Sequence, residues 1–203
     1  MTDPNAEPSA ARRPTGAVVG ADGKLRCPWG LSTPDYVAYH DDEWGRPVHG
    51  DQLIFERLCL EAFQSGLSWL TILRKRENFR KAFAGFDLPA VAAFTDADVA
   101  RLLADTGIVR NRAKINAAIT NARAALELKD GLSALVWSYA ETGPRPAPRT
   151  LADVPAQTDV SKALSKDLRK RGFVFTGPVT VYAGMQACGL VNDHLEACFA
   201  RTR

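Results

Sequence analysis

The chain has 203 residues, 46% of them hydrophobic and 24% charged, with a formal net charge of +3. This is the composition of a soluble globular protein, long enough for one core or for two small lobes sharing one. No apolar run reaches the roughly 20 residues of a membrane-spanning helix, and the start lacks the stretch of about 7 to 15 apolar residues that makes a secretory signal. The mild positive charge permits a nucleic-acid partner without requiring one.

Residues 1–24 are rich in Pro, Ala and Gly and read as a disordered tail, leaving 25–203 as one domain. Without a secretion signal the expected compartment is the reducing cytoplasm. There Cys27, Cys59, Cys188 and Cys198 serve as metal ligands or apolar residues rather than as disulfides.

The stretch CPWGLSTPDYVAYHDDEWG carries Trp29, Tyr36, Tyr39 and Trp44 with few aliphatic neighbours, and it reads as a loop-rich wall. Rings in such a wall suit a flat, cationic ligand; the competing reading is that they only fill a core. DQLIFERLCLEAFQSG (51–66) is a helix with Asp51 as its N-cap, Phe55, Leu58, Cys59 and Ala62 on one face, and Gly66 at its end. Glu61 lies along that apolar stripe, where a carboxylate is costly unless it has a partner or a task. The bland alternative places it at a solvated edge, paired with Arg57.

A second helix follows, with Ser68 as cap, Leu67 stapled onto Ile72, and Arg74, Lys75, Arg76, Arg80 and Lys81 opposite its apolar side. TDADVARLLADTG (95–107) opens on a capping-box-like Thr95 and Asp98, and 111–131 reads as a long helix. Together they form a helix, hairpin, helix unit near 96–127. Its turn, DTGIVRNRAK, offers backbone N–H groups at Gly107 and countercharge from Arg110, Arg112 and Lys114, a combination that holds phosphate without reading sequence. Charge runs of this kind are also common as solvated faces.

ETGPRPAPRT (141–150) is a connector, SKALSKDLRKRG (161–172) a basic helix, and Pro178 a first helical residue. The class is all-α. In CGLVNDHLEAC, His194 and Cys198 are four residues apart and on a helix would share one face. Adding Cys27 and His40 makes a Cys2His2 set able to close a tetrahedral zinc site and pin the N-terminal segment to a C-terminal helix. The alternative is a buried thiol beside a surface imidazole.

Taken in order, CPWG, YVAYHDDEWG, CLEAFQSGLSW, TGIVRNRAKI, SKDLRKRGFVFTG and MQACGLVNDH resemble the bacterial 3-methyladenine DNA glycosylase I family, a branch of the helix-hairpin-helix glycosylases. The resemblance runs from Cys27 to about Cys198. It implies a helix-hairpin-helix glycosylase fold and a structural zinc ion on Cys27, His40, His194 and Cys198, with Cys59 and Cys188 left to packing.

It further implies that Glu61 and Tyr39 hydrogen-bond a flipped methylated adenine. Trp29, Tyr36, Trp44 and Trp69 would wall it in, and Leu67 and Gln64 would plug the gap left in the duplex. The catalytic aspartate found beyond the hairpin in many superfamily members has no counterpart here. The expected activity is monofunctional hydrolysis of the N-glycosidic bond of 3-methyladenine in double-stranded DNA, by a monomer. Two rival expectations remain at this point: a noncatalytic zinc-containing helix-hairpin-helix DNA-binding module, and an N-glycosidase acting on a nucleoside or RNA.

Overall fold

The computed structural model describes residues 16–141, 143 and 145–202. Nine α-helices lie among them: α1 Pro34–Asp42, α2 Asp51–Gln64, α3 Trp69–Ala82, α4 Leu88–Ala92, α5 Asp96–Ala104, α6 Arg112–Leu126, α7 Gly131–Trp137, α8 Asp159–Lys170 and α9 Pro178–Ala187. One antiparallel pair of two-residue strands, β1 Val18–Val19 and β2 Leu25–Arg26, precedes them. The fold is therefore mostly helical. None of the described helices is long and apolar enough to cross a membrane.

The main core is built around α2, whose Ile54, Phe55, Leu60 and Phe63 are almost fully buried. α2 packs against α3, α6, α7 and α9. A ladder of phenylalanines, Phe63, Phe79, Phe83 and Phe86, fills the space between α2 and the end of α3 with ring centroids 4.7–6.2 Å apart. A small satellite cluster of Cys27, Leu195, Cys198 and Ala200 joins the two ends of the chain.

Several local expectations change in the fold. Residues 16–24, assigned to the tail, are ordered: the chain folds back so that Val18 pairs with Arg26 and Gly16 bridges to Thr150. Residues 1–15 lie outside the described residues. The stretch expected to be loop-rich contains α1, started by the Thr33 hydroxyl, which accepts from the Tyr36 N–H, and by Pro34 in the first turn. The N-cap of α2 is Gly50 rather than Asp51, whose carboxylate instead accepts the Ser133 N–H at 2.7 Å and so ties α7 to the start of α2. The helix expected over 111–131 stops at Leu126.

Ser68 caps α3 and Thr95 with Asp98 forms a capping box on α5, both as the sequence predicts. The turn between α5 and α6 is held from outside. Lys75 Nζ donates to the Thr106 and Gly107 carbonyls, and the Gly107 N–H donates to Asp105 Oδ1 at 2.7 Å. A Cβ at Gly107 would meet Asp105 Oδ1 at 2.9 Å and Asn78 at 3.2 Å, so any larger residue must displace these side chains.

Candidate active site and metal centre

A cavity of about 590 Å³ opens between α1, α2, the start of α3 and α9. Its lining includes Trp29, Tyr36, Tyr39, Trp44, Glu61 and Trp69, which are the residues singled out in the sequence for the base site, and also Gln64, expected instead at the gap in the duplex. Tyr36 and Tyr39 come from α1 and Glu61 and Gln64 from the last turn of α2. Trp69 is the first residue of α3, and Trp29 sits in the short 3-10 turn Pro28–Leu31. Ser32, Ala183 and Gln186 also line the cavity, and none of the three was picked out from sequence.

The rings are mutually braced. Trp29 stands edge-on to Tyr36 (5.7 Å, 80°) and to Trp44 (5.1 Å, 77°), and Tyr39 tilts onto Trp69 at 5.4 Å. Such packing holds each ring without filling the space between them.

Glu61 is 6% exposed. The reading that paired it with Arg57 fails, because Arg57 donates instead to Glu43 at 3.1 Å, and Glu43 also accepts from Arg76 at 2.8 Å. With no ion-pair partner among the described residues, the Glu61 carboxyl is pushed up to about 8 by burial, with only partial opposition from the Arg57 charge. Burial, and then the nearby Glu61, raise the Tyr39 hydroxyl well above its usual range.

Behind the aromatic wall, Cys27, His40, His194 and Cys198 bring one ligand atom each within 4.8 Å of one another, and all four residues are buried. Cys198 Sγ lies 3.4 Å from His40 Nε2 and 3.6 Å from His194 Nδ1, and Cys27 Sγ lies 3.8 Å from His194 Nδ1. The expectation that His194 and Cys198 share a helix face is not met: the segment after α9 is a series of turns, and the Cys198 N–H bonds to the Leu195 carbonyl. A tight turn brings the two together as a helix would have.

The outer partners of both imidazoles are acceptors. His40 Nδ1 meets Asp41 Oδ1 at 2.8 Å, and Asp41 is in turn clamped by Arg26 at 2.7–3.1 Å. Burial pushes the Asp41 carboxyl up, but the hydrogen bonds from Arg26 and His40 outweigh it and hold it low. His194 Nε2 meets the Trp44 carbonyl at 3.1 Å. An acceptor on one ring nitrogen requires the proton there, which leaves the other nitrogen's lone pair aimed at the sulfurs. The neighbouring Cys27 thiol, and then both imidazoles, hold Cys198 low, toward the thiolate, whereas Cys198 and burial raise Cys27. The group is able to hold a metal ion. Gly30 packs so closely on the His40 ring that a Cβ would lie 2.7 Å from its Cγ.

The remaining candidates separate. Leu67 is 42% exposed in the turn between α2 and α3. Arg110 and Arg112 are exposed beside the α5–α6 turn at Gly107. Lys114 is not: it is 8% exposed, and its Nζ donates to the carbonyls of Phe63 (2.9 Å) and Ser65 (2.6 Å). It satisfies orphan carbonyls at the C-terminal end of α2, so the assignment of Lys114 to a phosphate contact is corrected. Cys59 and Cys188 are free, buried core residues.

The family model of methyladenine glycosylases matches residues 29–201. The chain is 49% identical over 177 residues to the DNA-3-methyladenine glycosylase 1 of Escherichia coli (strain K12), covering 85% of this chain and 95% of that protein. It is 46% identical over 182 residues to the DNA-3-methyladenine glycosylase of Haemophilus influenzae, covering 87% and 98%. Among solved structures it resembles 3-methyladenine DNA glycosylase I from Staphylococcus aureus, studied for its recognition of 3-methyladenine, with a TM-score of 0.83 at 36% identity, covering 88% of this chain and 97% of that one. With the aromatic rings of the cavity, the buried carboxylate and all of the metal-binding group except Cys27 inside the matched region, this chain belongs to the methyladenine glycosylase family.

Proposed function

We propose that the chain is a monofunctional DNA glycosylase that hydrolyses the N-glycosidic bond of 3-methyladenine in double-stranded DNA. The observation that carries this reading is Glu61: a buried carboxyl with no ion-pair partner among the described residues, on the wall of a cavity ringed by Trp29, Tyr36, Tyr39, Trp44 and Trp69. A noncatalytic DNA-binding module has no use for such a group, which costs stability wherever nothing positive meets it.

Methylation at N3 leaves adenine cationic, which weakens the glycosidic bond and makes the base a good leaving group. A strong general acid is then unnecessary, and selectivity for the lesion follows from its charge. Each ring of the cavity contributes about 0.5 to 2 kcal/mol to holding a cation. The Glu61 carboxylate adds a charge-assisted bond from the exocyclic amine and stabilises the positive charge, while Tyr39 fixes the orientation. Together these terms offset the few kcal/mol of unstacking, but only for the charged lesion. Water completes hydrolysis and leaves an abasic site. Among the described residues the cavity lining holds no lysine for Schiff-base attack, which supports hydrolysis without strand cleavage.

The helices α5 and α6 with their Gly107 turn act as a helix-hairpin-helix. The Gly107 N–H is taken by Asp105, so other backbone N–H groups of the turn, with Arg110 and Arg112, grip phosphates. Leu67 and Gln64 occupy the gap vacated by the flipped base. Zinc is the metal that suits the buried group. Two thiols and two imidazoles are a structural donor set, and their ligand atoms, three pairs of them 3.4–3.8 Å apart and all within 4.8 Å of one another, are close enough to share one ion. With Cys27, His40, His194 and Cys198 as its four ligands, a zinc ion would tie the Cys27 segment to the turn after α9 and leave no open position for water. A reducing compartment, the cytoplasm, keeps the two thiols available as ligands, and we take the monomer as the working form. Release of 3-methyladenine from methylated duplex DNA, without strand scission, tests this reading.

A further inference from the structure

Gln186 lines the cavity from the last turn of α9. Its Nε2 donates to Asp193 Oδ2 at 2.7 Å, and the Tyr182 hydroxyl donates to the same oxygen at 2.6 Å. Arg145 Nη1 lies 3.0 Å from the other carboxylate oxygen, and Arg145 also donates to the Tyr182 hydroxyl at 3.0 Å. Asp193 is 2% exposed. With a guanidinium and two donors on it, this carboxylate has only acceptors to offer.

That decides which way the Gln186 amide faces. Its NH2 is bonded to Asp193, which leaves Oε1 as the amide atom without a hydrogen bond among the described residues. An uncommitted side-chain amide rotates and offers donor or acceptor alike; this one offers a fixed acceptor.

We propose that Gln186, oriented by Asp193, is a specificity-determining residue. Its Oε1 is a fixed acceptor on the cavity wall, selecting flipped purines that present an amino group there, as adenine does, over purines that present a carbonyl oxygen, as guanine does. The proposal rests on the glycosylase reading and deepens it. The lesion's charge cannot make this distinction, because 3-methyladenine and 3-methylguanine nucleotides are both cationic; Gln186 Oε1 adds a second acceptor to the one that Glu61 offers the exocyclic amine. A carbonyl oxygen facing Oε1 sets two acceptors against each other with no water between them, whereas an amine gains a hydrogen bond. Charge is read by Glu61 and the rings, and the edge of the base by Gln186 together with Glu61.

The test uses duplex DNA methylated with dimethyl sulfate, so that 3-methyladenine and 3-methylguanine are released from one substrate and their rates compared. Gln186→Leu keeps the bulk and removes the acceptor. It is expected to slow 3-methyladenine release about tenfold while changing 3-methylguanine release less than about twofold, the effect of one lost hydrogen bond. Asp193→Asn frees the amide to turn its NH2 into the cavity, and 3-methylguanine release should then rise in absolute terms. If melting shows that Asp193→Asn does not fold, Gln186→Leu decides alone. An unchanged ratio of the two bases in a folded Gln186→Leu protein overturns the proposal, as does a parallel loss of both, which would make Gln186 a packing residue. A wild-type protein that releases neither base instead overturns the glycosylase reading itself.

Discussion

His194 and Trp44 are joined twice. The imidazole Nε2 donates to the Trp44 carbonyl at 3.1 Å, and the two rings stand edge-on with centroids 4.7 Å apart at 86°. Trp29 stands in the same relation to His40, at 5.1 Å. The residues that can hold a metal and the residues that wall the cavity are thus back to back.

Removing the metal should therefore act first on stability and then on the cavity wall. Purified protein should contain about one zinc per chain by elemental analysis. Cys198→Ala should lower the Tm by on the order of 10 °C, since a structural zinc site contributes folding energy directly. On the fraction that stays folded, base release persists while the tryptophan emission shifts. Full metal content in Cys198→Ala would contradict the assignment.

The pH dependence of stability has a definite sign. Burial raises Glu61 from 4.5 to about 8, so between those values the folded state holds a proton that the unfolded chain releases, and stability falls as pH rises. Glu61→Gln removes that cost. The variant should match wild type below pH 4.5 and melt higher above pH 8, by about 3 to 8 °C. In the wild type, kcat/KM should climb with pH up to about 8 as Glu61 ionises, and Glu61→Gln should flatten that climb. Equal pH profiles for the two proteins would remove Glu61 from the chemistry.

Trp69→Ala opens one wall while leaving the α5–α6 turn intact. Preference for lesion-bearing over undamaged duplex should fall about tenfold, and binding to undamaged duplex should change less than about twofold. Equal losses on both DNAs would mean that the ring does not contact the base.

Lys114 and its neighbours should behave oppositely. Arg110→Ala and Arg112→Ala should each lower the slope of log affinity against log salt by about one, without changing Tm. Lys114→Met should leave that slope alone and lower Tm, because the Phe63 and Ser65 carbonyls lose their donor. A reduced salt slope in Lys114→Met would return this lysine to the DNA contacts.

Much of the site was legible because residue chemistry, not local conformation, carries it. Cys27, His40, His194 and Cys198 were picked as donors, and they meet even though the helix expected to present His194 and Cys198 is a turn. Glu61 stood out because a carboxylate on an apolar stripe is a conflict at any depth of burial. α1 was missed because DYVAYHDDEWG has no aliphatic face; Thr33 followed by Pro34 was the capping signal available. Lys114 was misjudged because it sits in a basic run, and only the fold shows that two carbonyls of α2 end beside it. Gln186 has no local signal, since its importance comes from Asp193, seven residues on, reaching it through the turn after α9.

The most direct test of the account is base release from alkylated duplex DNA by wild type and Glu61→Gln, measured side by side at pH 8. The account predicts that wild type frees 3-methyladenine and leaves intact strands with abasic sites, while the folded variant is slower by about 100-fold, the loss of one charge-assisted bond to a cation. Full excision by Glu61→Gln would contradict it.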